Sequence, residues 1–343
     1  MHPDLIRLAG ALSGAREAMR GLCIATGAPA EALARVHRVG PLLALQATRL
    51  GIDGPEVNAW RAQLHAWTAR AAILERSQAS LRGALANAGI AWAPLKGVSL
   101  GRWLYELPAA RPTTDLDILI RMQDLASARE HLVAVGWTGC GSGPEHERYL
   151  QDEGYNWKAV DRLGVPLELH YRLWGSVPGV LGEVMLDRSL PDPSNGTAAR
   201  RLDPADELVV AAAHLWLTAP PRPLLYLCDI KLLLDHGPAD IVAAAADRSR
   251  AHGLELQVST AATLVARLWS HDRSRELAEL TAAGLRPSER LARAVVLRRG
   301  DLDAPTALLV AARLVAGRPS RSGLRLVLRA LRPHPGITTH RGA

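Results

Sequence analysis

Apolar residues recur at mostly three- and four-residue steps over residues 55–88, through Trp60, Leu64, Trp67, Ile73 or Leu74, Leu81 and Leu85. That spacing predicts one long amphipathic helix, with Gly89 at its end. Upstream, Pro29 stands at a helix N1 position and Leu33, Val36, Val39, Leu42, Leu43 and Leu45 give a broad apolar face, so the first ninety or so residues read as helical. The period then falls to two. Residues 90–95 and 115–120 read as short strands, and 123–135 as a helix closed by Gly136. Residues 155–160 and 165–170 read as a strand pair joined through Asp161-Arg162-Leu163-Gly164. After a Pro-, Gly- and Ser-rich stretch over 175–196, helices resume at 204–217, 223–236, 239–252, 255–269, 287–298 and 303–316. Asp203-Pro204, followed by Asp206 and Glu207, has the cap, first-turn proline and early acids of a helix start. Residues 323–332 read as a basic amphipathic turn or helix.

The expected fold is therefore α+β. A small mixed or antiparallel sheet of about four strands is flanked by N-terminal helices and a C-terminal helical bundle. The expected divisions are 1–89, a core over 90–175, a linker or irregular excursion over 176–200, a helical domain over 201–332, and a disordered tail over 333–343. No repeat at a solenoid period interrupts this order.

Composition narrows the classes. A 343-residue chain with 48% hydrophobic and 22% charged residues can bury a large core and is not of a disordered type. No apolar run reaches the roughly 20 residues needed to cross a bilayer. The longest, over 208–217, is interrupted by His214. The N-terminus lacks a basic-then-apolar secretory layout, and Cys23, Cys140 and Cys228 lie too far apart for a zinc knuckle or a disulfide framework. These features read as a soluble cytoplasmic protein without membrane insertion. The net charge of +7 raises nucleic acid as a partner without favouring it. Lys96, Lys158 and Lys231 are the only lysines among 41 basic residues and phenylalanine is absent, a pattern that points to codon bias. A lysine kept in so arginine-rich a chain points to a need for lysine.

Asp115-Leu116-Asp117 enters an apolar strand, and residues two apart on a strand share a face. Two neighbouring carboxylates repel, and a divalent cation such as Mg²⁺ or Mn²⁺ removes the conflict. Alone, the pair reads equally as two solvated acids. Glu168 adds a third acid on a strand where Leu167 and Leu169 alternate with Glu168 and His170. If the strands are neighbours, three acids converge and can hold two cations about 3.5–4 Å apart, as phosphoryl transfer requires. His170 reads as a hydrogen-bonding neighbour of these acids. In Leu95-Lys96-Gly97-Val98-Ser99 a strand ends and a helix begins, which reads as a phosphate seat with Lys96 as its charge and Ser99 as a weaker donor, or, taken alone, as an ordinary turn with a solvated lysine. Arg111 reads as a phosphate clamp or as an ion-pair partner of Asp115 or Asp117. Asp229 with Lys231, the run Glu145-His146-Glu147 and the stripe Arg321, Arg325, Arg329 and Arg332 read as structural or solvated.

Several segments, taken in order, resemble a nucleotidyltransferase family of the DNA polymerase β-like superfamily. They are Leu95-Lys96-Gly97, residues 104–108, Arg111, Asp115-Leu116-Asp117 with 118–120, Gly136-Trp137 and Leu167-Glu168-Leu169-His170 with 171–173. Residues 35–39 and 226–234 extend the likeness, which covers about residues 30 to 240. The resemblance implies a polymerase β-like core in which Asp115 and Asp117 are catalytic metal ligands with Glu168 as the third acid, and Lys96, Gly97, Ser99 and Arg111 are the residues expected to bind nucleotide there. It further implies Mg²⁺ or Mn²⁺, an NTP (ATP foremost) as donor, and an unidentified acceptor: a small molecule, a peptide or an RNA end. Some members of that family sit beside genes for lasso peptides and related natural products. Two features depart from the superfamily pattern: Lys-Gly replaces the usual Gly-Ser at the phosphate turn, and the interval from Gly97 to Asp115 is longer. The alternatives are an inactive nucleotide-binding or regulatory module of the same fold, and a nucleic-acid binder.

Overall fold

The computed structural model describes residues 3–24, 30–152, 154–173, 181–192, 198–217 and 222–299. The helix expected at 303–316, the basic segment 323–332 with its arginine stripe and the tail lie outside them. Five helices come first: α1 (Pro3–Leu12), α2 (Arg16–Ile24), α3 (Ala30–Val36), α4 (Gly40–Leu50) and α5 (Pro55–Asn87). Pro55 begins α5 at a position that needs no intrahelical N–H donor. Its end is fixed by Gly89 at φ +66°, with the Gly89 and Ile90 amides donating back to Ala86 and Leu85.

The sheet follows. β1 (Ala93–Pro94) leads into α6 (Gly97–Leu104), β2 (Leu116–Leu119) into α7 (Leu125–Ala134), and β3 (Thr138–Gly139) into α8 (Pro144–Asp152). β4 (Asn156–Val160) and β5 (Pro166–His170) form the expected hairpin. Asp161 accepts from the Leu163 and Val165 amides inside that turn, and Ser77 of α5 donates to its other oxygen at 2.5 Å. The strand order is β1-β2-β5-β4-β3, and only β2 and β5 run parallel. Alternation then sorts the side chains. Leu116, Ile118, Leu167 and Leu169 pack on Leu81 and Leu85 of α5 and on Leu132 of α7. Leu119, on the opposite face, joins the core shared with the helices beyond the sheet.

Those helices come after α9 (Leu181–Arg188) and the short pair β6 (Leu190–Pro191) and β7 (Arg200–Arg201). They are α10 (Pro204–Leu217), α11 (Leu225–His236), α12 (Ile241–His252), α13 (Glu255–Trp269), α14 (Asp272–Ala282) and α15 (Pro287–Arg299). The α+β expectation holds, with five strands in the main sheet. The first strand is shorter than the 90–95 expected, because Trp92 pairs instead with the segment around Ala199. His37 joins the N-terminal helices to the C-terminal ones: its carbonyl and Nδ1 accept from the Leu225 and Leu224 amides at 3.2 and 3.3 Å. Among the described residues no helix is long and apolar enough to cross a membrane.

Candidate functional site

Register assembles the acids. Parallel pairing of β2 with β5 sets Asp117 directly beside Glu168, and antiparallel β4 sets Lys158 on the other side of Glu168. His170, two residues on, shares their face. Its Nε2 lies 3.1 Å from Asp117 Oδ1 and 3.5 Å from Glu168 Oε2. Lys158 Nζ meets Glu168 Oε1 at 2.8 Å, and Asn156 Nδ2 donates to Glu168 Oε2 at 2.9 Å. Lys96 Nζ closes the row from β1, 3.2 Å from Asp117 Oδ2. Asp117, Glu168 and His170 each offer a ligand atom within 4.8 Å of the others, and they are the group of that kind found among the described residues. Asp115 stands just ahead of β2, outside that radius, and takes a hydrogen bond from Thr114 at 3.3 Å.

The charges divide unevenly. Burial and the charge of Asp117 push the Asp115 carboxyl up. Burial acts on Asp117 too, but the Lys96 ammonium and the His170 hydrogen bond outweigh it and hold Asp117 well below the carboxylate range. Glu168 is likewise brought down to about 2, burial being overcome by His170 and Lys158. The expected repulsion within the Asp-x-Asp pair therefore falls on one member. Asp115 is a partly buried acid beside an ionised one, with no ion pair among the described residues and only the Lys96 ammonium near enough to offset the repulsion, and this is the electrostatic setting that a divalent cation relieves. Its oxygens and those of Asp117 and Glu168 are hard donors suited to Mg²⁺ or Mn²⁺. The residues fit such an ion.

Lys96 is unusual in its backbone as well. At the start of α6 it has φ +48° and ψ −118°, a region that favours glycine and costs other residues about 1–3 kcal/mol. Gly97 is held for a different reason: a Cβ there would lie 2.8 Å from Thr113 Cγ2, so the helix start abuts the 111–113 loop.

Two of the proposed nucleotide ligands face elsewhere. Arg111 does not reach Asp115 or Asp117. It is buried in a two-pronged pair with Asp229, Nε to Oδ1 at 2.9 Å and Nη2 to Oδ2 at 2.7 Å, and Tyr105 donates to the same carboxylate at 2.6 Å. Both oxygens of the Asp229 carboxylate engage that guanidinium, and the reason is topological: α11 carries Asp229 against the 108–111 segment. Ser99 turns toward Glu207 of α10. Lys231 pairs with Asp235 at 2.6 Å, and Glu147 of α8 holds Arg129. The latter two match the structural reading of those residues.

Four residues that sequence reasoning did not place at the site are there. Lys158 and Asn156 arrive by strand pairing. Lys158 had a signal, since two of the chain's three lysines meet at this row. His214, the polar break in the longest apolar run, sits with Nδ1 3.4 Å from Lys96 Nζ. Burial and the neighbouring ammonium push its pKa well down, so the neutral ring accepts from Lys96. Glu207, two turns earlier on α10, is fully buried. Ser99 and the Lys96 main chain face it, but neither completes a well-directed hydrogen bond, and burial lifts its pKa from 4.5 to about 7. The folded carboxyl then keeps a proton that the unfolded one releases above pH 4.5, so stability falls as pH rises from there to about 7. Glu207→Gln should match the parent at pH 4 and exceed it at pH 8 by up to about 3 kcal/mol, read from denaturant midpoints at both pH values.

A family model described as an uncharacterised nucleotidyltransferase matches residues 30–270, a span that contains every strand and helix contributing to this row. No curated protein matches the chain.

Proposed function

The chain belongs to an uncharacterised nucleotidyltransferase family, whose members transfer nucleotide groups, and on that premise we propose that it moves NMP from an NTP to a hydroxyl or phosphate of an acceptor. The acceptor oxygen bonds to the α-phosphorus as the bond to the bridging oxygen of the β-phosphate breaks. Pyrophosphate leaves with that electron pair, and the acceptor's proton passes to solvent. The observation that carries this reading is the convergence of Asp117, Glu168 and His170 beside a cationic strand-to-helix turn.

The free amides at the start of α6 and the Lys96 ammonium bind the donor's phosphates. Asp115, Asp117 and Glu168 would hold Mg²⁺ or Mn²⁺, which when bound supplies charge neutralisation at the phosphates. Glu168, kept near 2 by His170 and Lys158, suits an ionised ligand better than a proton acceptor, whose pKa should lie near the working pH. His170 holds the two carboxylates in register. His214 aims Lys96 from below. ATP as donor, a polymerase β-like superfamily core and a place in peptide natural-product biosynthesis are parts of this proposal, supported by the ordered segments described first.

Incubation with an NTP panel, Mg²⁺ or Mn²⁺ and candidate acceptors (a cell extract, a precursor peptide, tRNA) tests it. A product heavier by one NMP, with pyrophosphate released, is expected. No adduct and no pyrophosphate with any NTP would count against it. One observation favours a second reading, a module that binds nucleotide without turnover: Lys96 already neutralises Asp117 at 3.2 Å. Binding of NTP without pyrophosphate release selects that reading. Lys96→Met separates the lysine's two roles. A phosphate-binding lysine implies an NTP affinity lower by about 10- to 100-fold, or roughly 1.4–3 kcal/mol. Unchanged affinity with a lowered melting temperature would make Lys96 a partner of Asp117 alone.

A further inference from the structure

A cavity of about 370 Å³ lies between α5 and α6. It begins where the acidic row ends. Gly97 and Thr113, which belong to its lining, stand one residue after Lys96 and two before Asp115. One wall carries Trp67 and Ala71 of α5, and the other carries Gly97, Val98 and Gly101 of α6. The polar side chains of the lining are already engaged. Thr68 donates to the Leu64 carbonyl, Glu75 pairs with Arg102, Arg111 pairs with Asp229, and Thr113 both accepts from Arg111 and donates to its carbonyl.

A nucleobase placed there would bury the donors and acceptors of its edge against a lining that is mostly apolar, through Trp67, Ala71, Leu74, Val98, Leu107 and Pro108, and unpaired buried polar atoms are costly. An aliphatic or aromatic group buries apolar surface at no such loss and can lie on the Trp67 ring. We propose that this cavity seats the apolar body of the acceptor, an amphiphilic small molecule whose hydroxyl reaches past Gly97 to the donor phosphates. The acceptor role rests on the nucleotidyltransferase reading. The occupancy rests on the lining alone.

The test is calorimetric titration of the full chain with 4-phenyl-1-butanol, and separately with ATP and Mg²⁺. Ala71→Trp fills the cavity and Trp67→Ala removes its aromatic wall; neither belongs to the acidic row. The alcohol should bind the parent and lose about tenfold or more in affinity in both variants, while ATP affinity stays within about twofold. No binding of the alcohol, or equal binding by all three proteins, overturns the proposal. A variant that loses ATP and keeps the alcohol overturns it too, by assigning the cavity to the base. If the parent binds the alcohol but no NTP, the acceptor role falls with the nucleotidyltransferase reading and an apolar ligand site is left.

Discussion

Asp117→Asn should lower metal-dependent nucleotidyl transfer by about a thousandfold or more, with kcat carrying most of the loss. Asparagine preserves the shape of the side chain and can still accept from His170, so the effect isolates the charge. Asp117 is the hub of the row. It lies 3.2 Å from Lys96 and 3.1 Å from His170, beside Glu168 by strand register. Stability changes as well, with a definite sign. A carboxylate held below its ordinary range stabilises the fold above the unfolded pKa and loses that contribution as pH falls. The variant should therefore be less stable than the parent at pH 7 and approach it in acid. Rates taken well below both melting temperatures separate the two effects. A variant that keeps full turnover would remove Asp117 from the chemistry.

Arg111→Met is expected to cost about 3–5 kcal/mol, a drop in melting temperature of roughly 6–20 °C. The substitution leaves the Asp229 carboxylate buried with Tyr105 as its remaining partner; the Arg111 and Asp229 side chains are only 6% and 3% exposed. Adding Asp229→Asn removes the stranded charge and keeps an acceptor for the Tyr105 hydroxyl. Most of the lost stability should then return, because replacing both members of a buried pair is far milder than removing one. The double variant also tests the assignment of Arg111 to structure. Near-parental NTP affinity in that protein agrees with it, whereas a large loss of affinity with stability restored would return Arg111 to the phosphates.

What the sequence disclosed was local, and what it hid was pairing across distance. Period 3.6 over 55–88 and the Gly89 stop gave α5 because both signals lie within the helix itself. The hairpin of β4 and β5 was legible from its own turn, whose Asp161 and Gly164 act within five residues. α14 was missed because its first turn from Asp272 is polar and charged and its start is capped by a histidine, His271, whose Nδ1 accepts from the Ser274 amide. α8 was missed because Glu145-His146-Glu147 reads as a polar loop until Arg129 is seen to hold Glu147. At the site, the acids and Lys96 stood out by type and spacing. Lys158 and Asn156 become neighbours of Glu168 only through the β4–β5 register, and His214 only through its contact from α10 with Lys96. Glu207 was misleading, since a first-turn acid reads as a solvated complement to the helix dipole, and here it is buried.

The most direct test of the proposed metal–triphosphate site is calorimetric titration of the full chain with ATP, carried out with Mg²⁺ and again with EDTA, for the parent and for Asp115→Asn combined with Asp117→Asn. The expected result is binding by the parent that needs the divalent cation and a double variant that binds weakly or not at all under either condition. Equal affinity in EDTA, or in the double variant with Mg²⁺, would contradict the account.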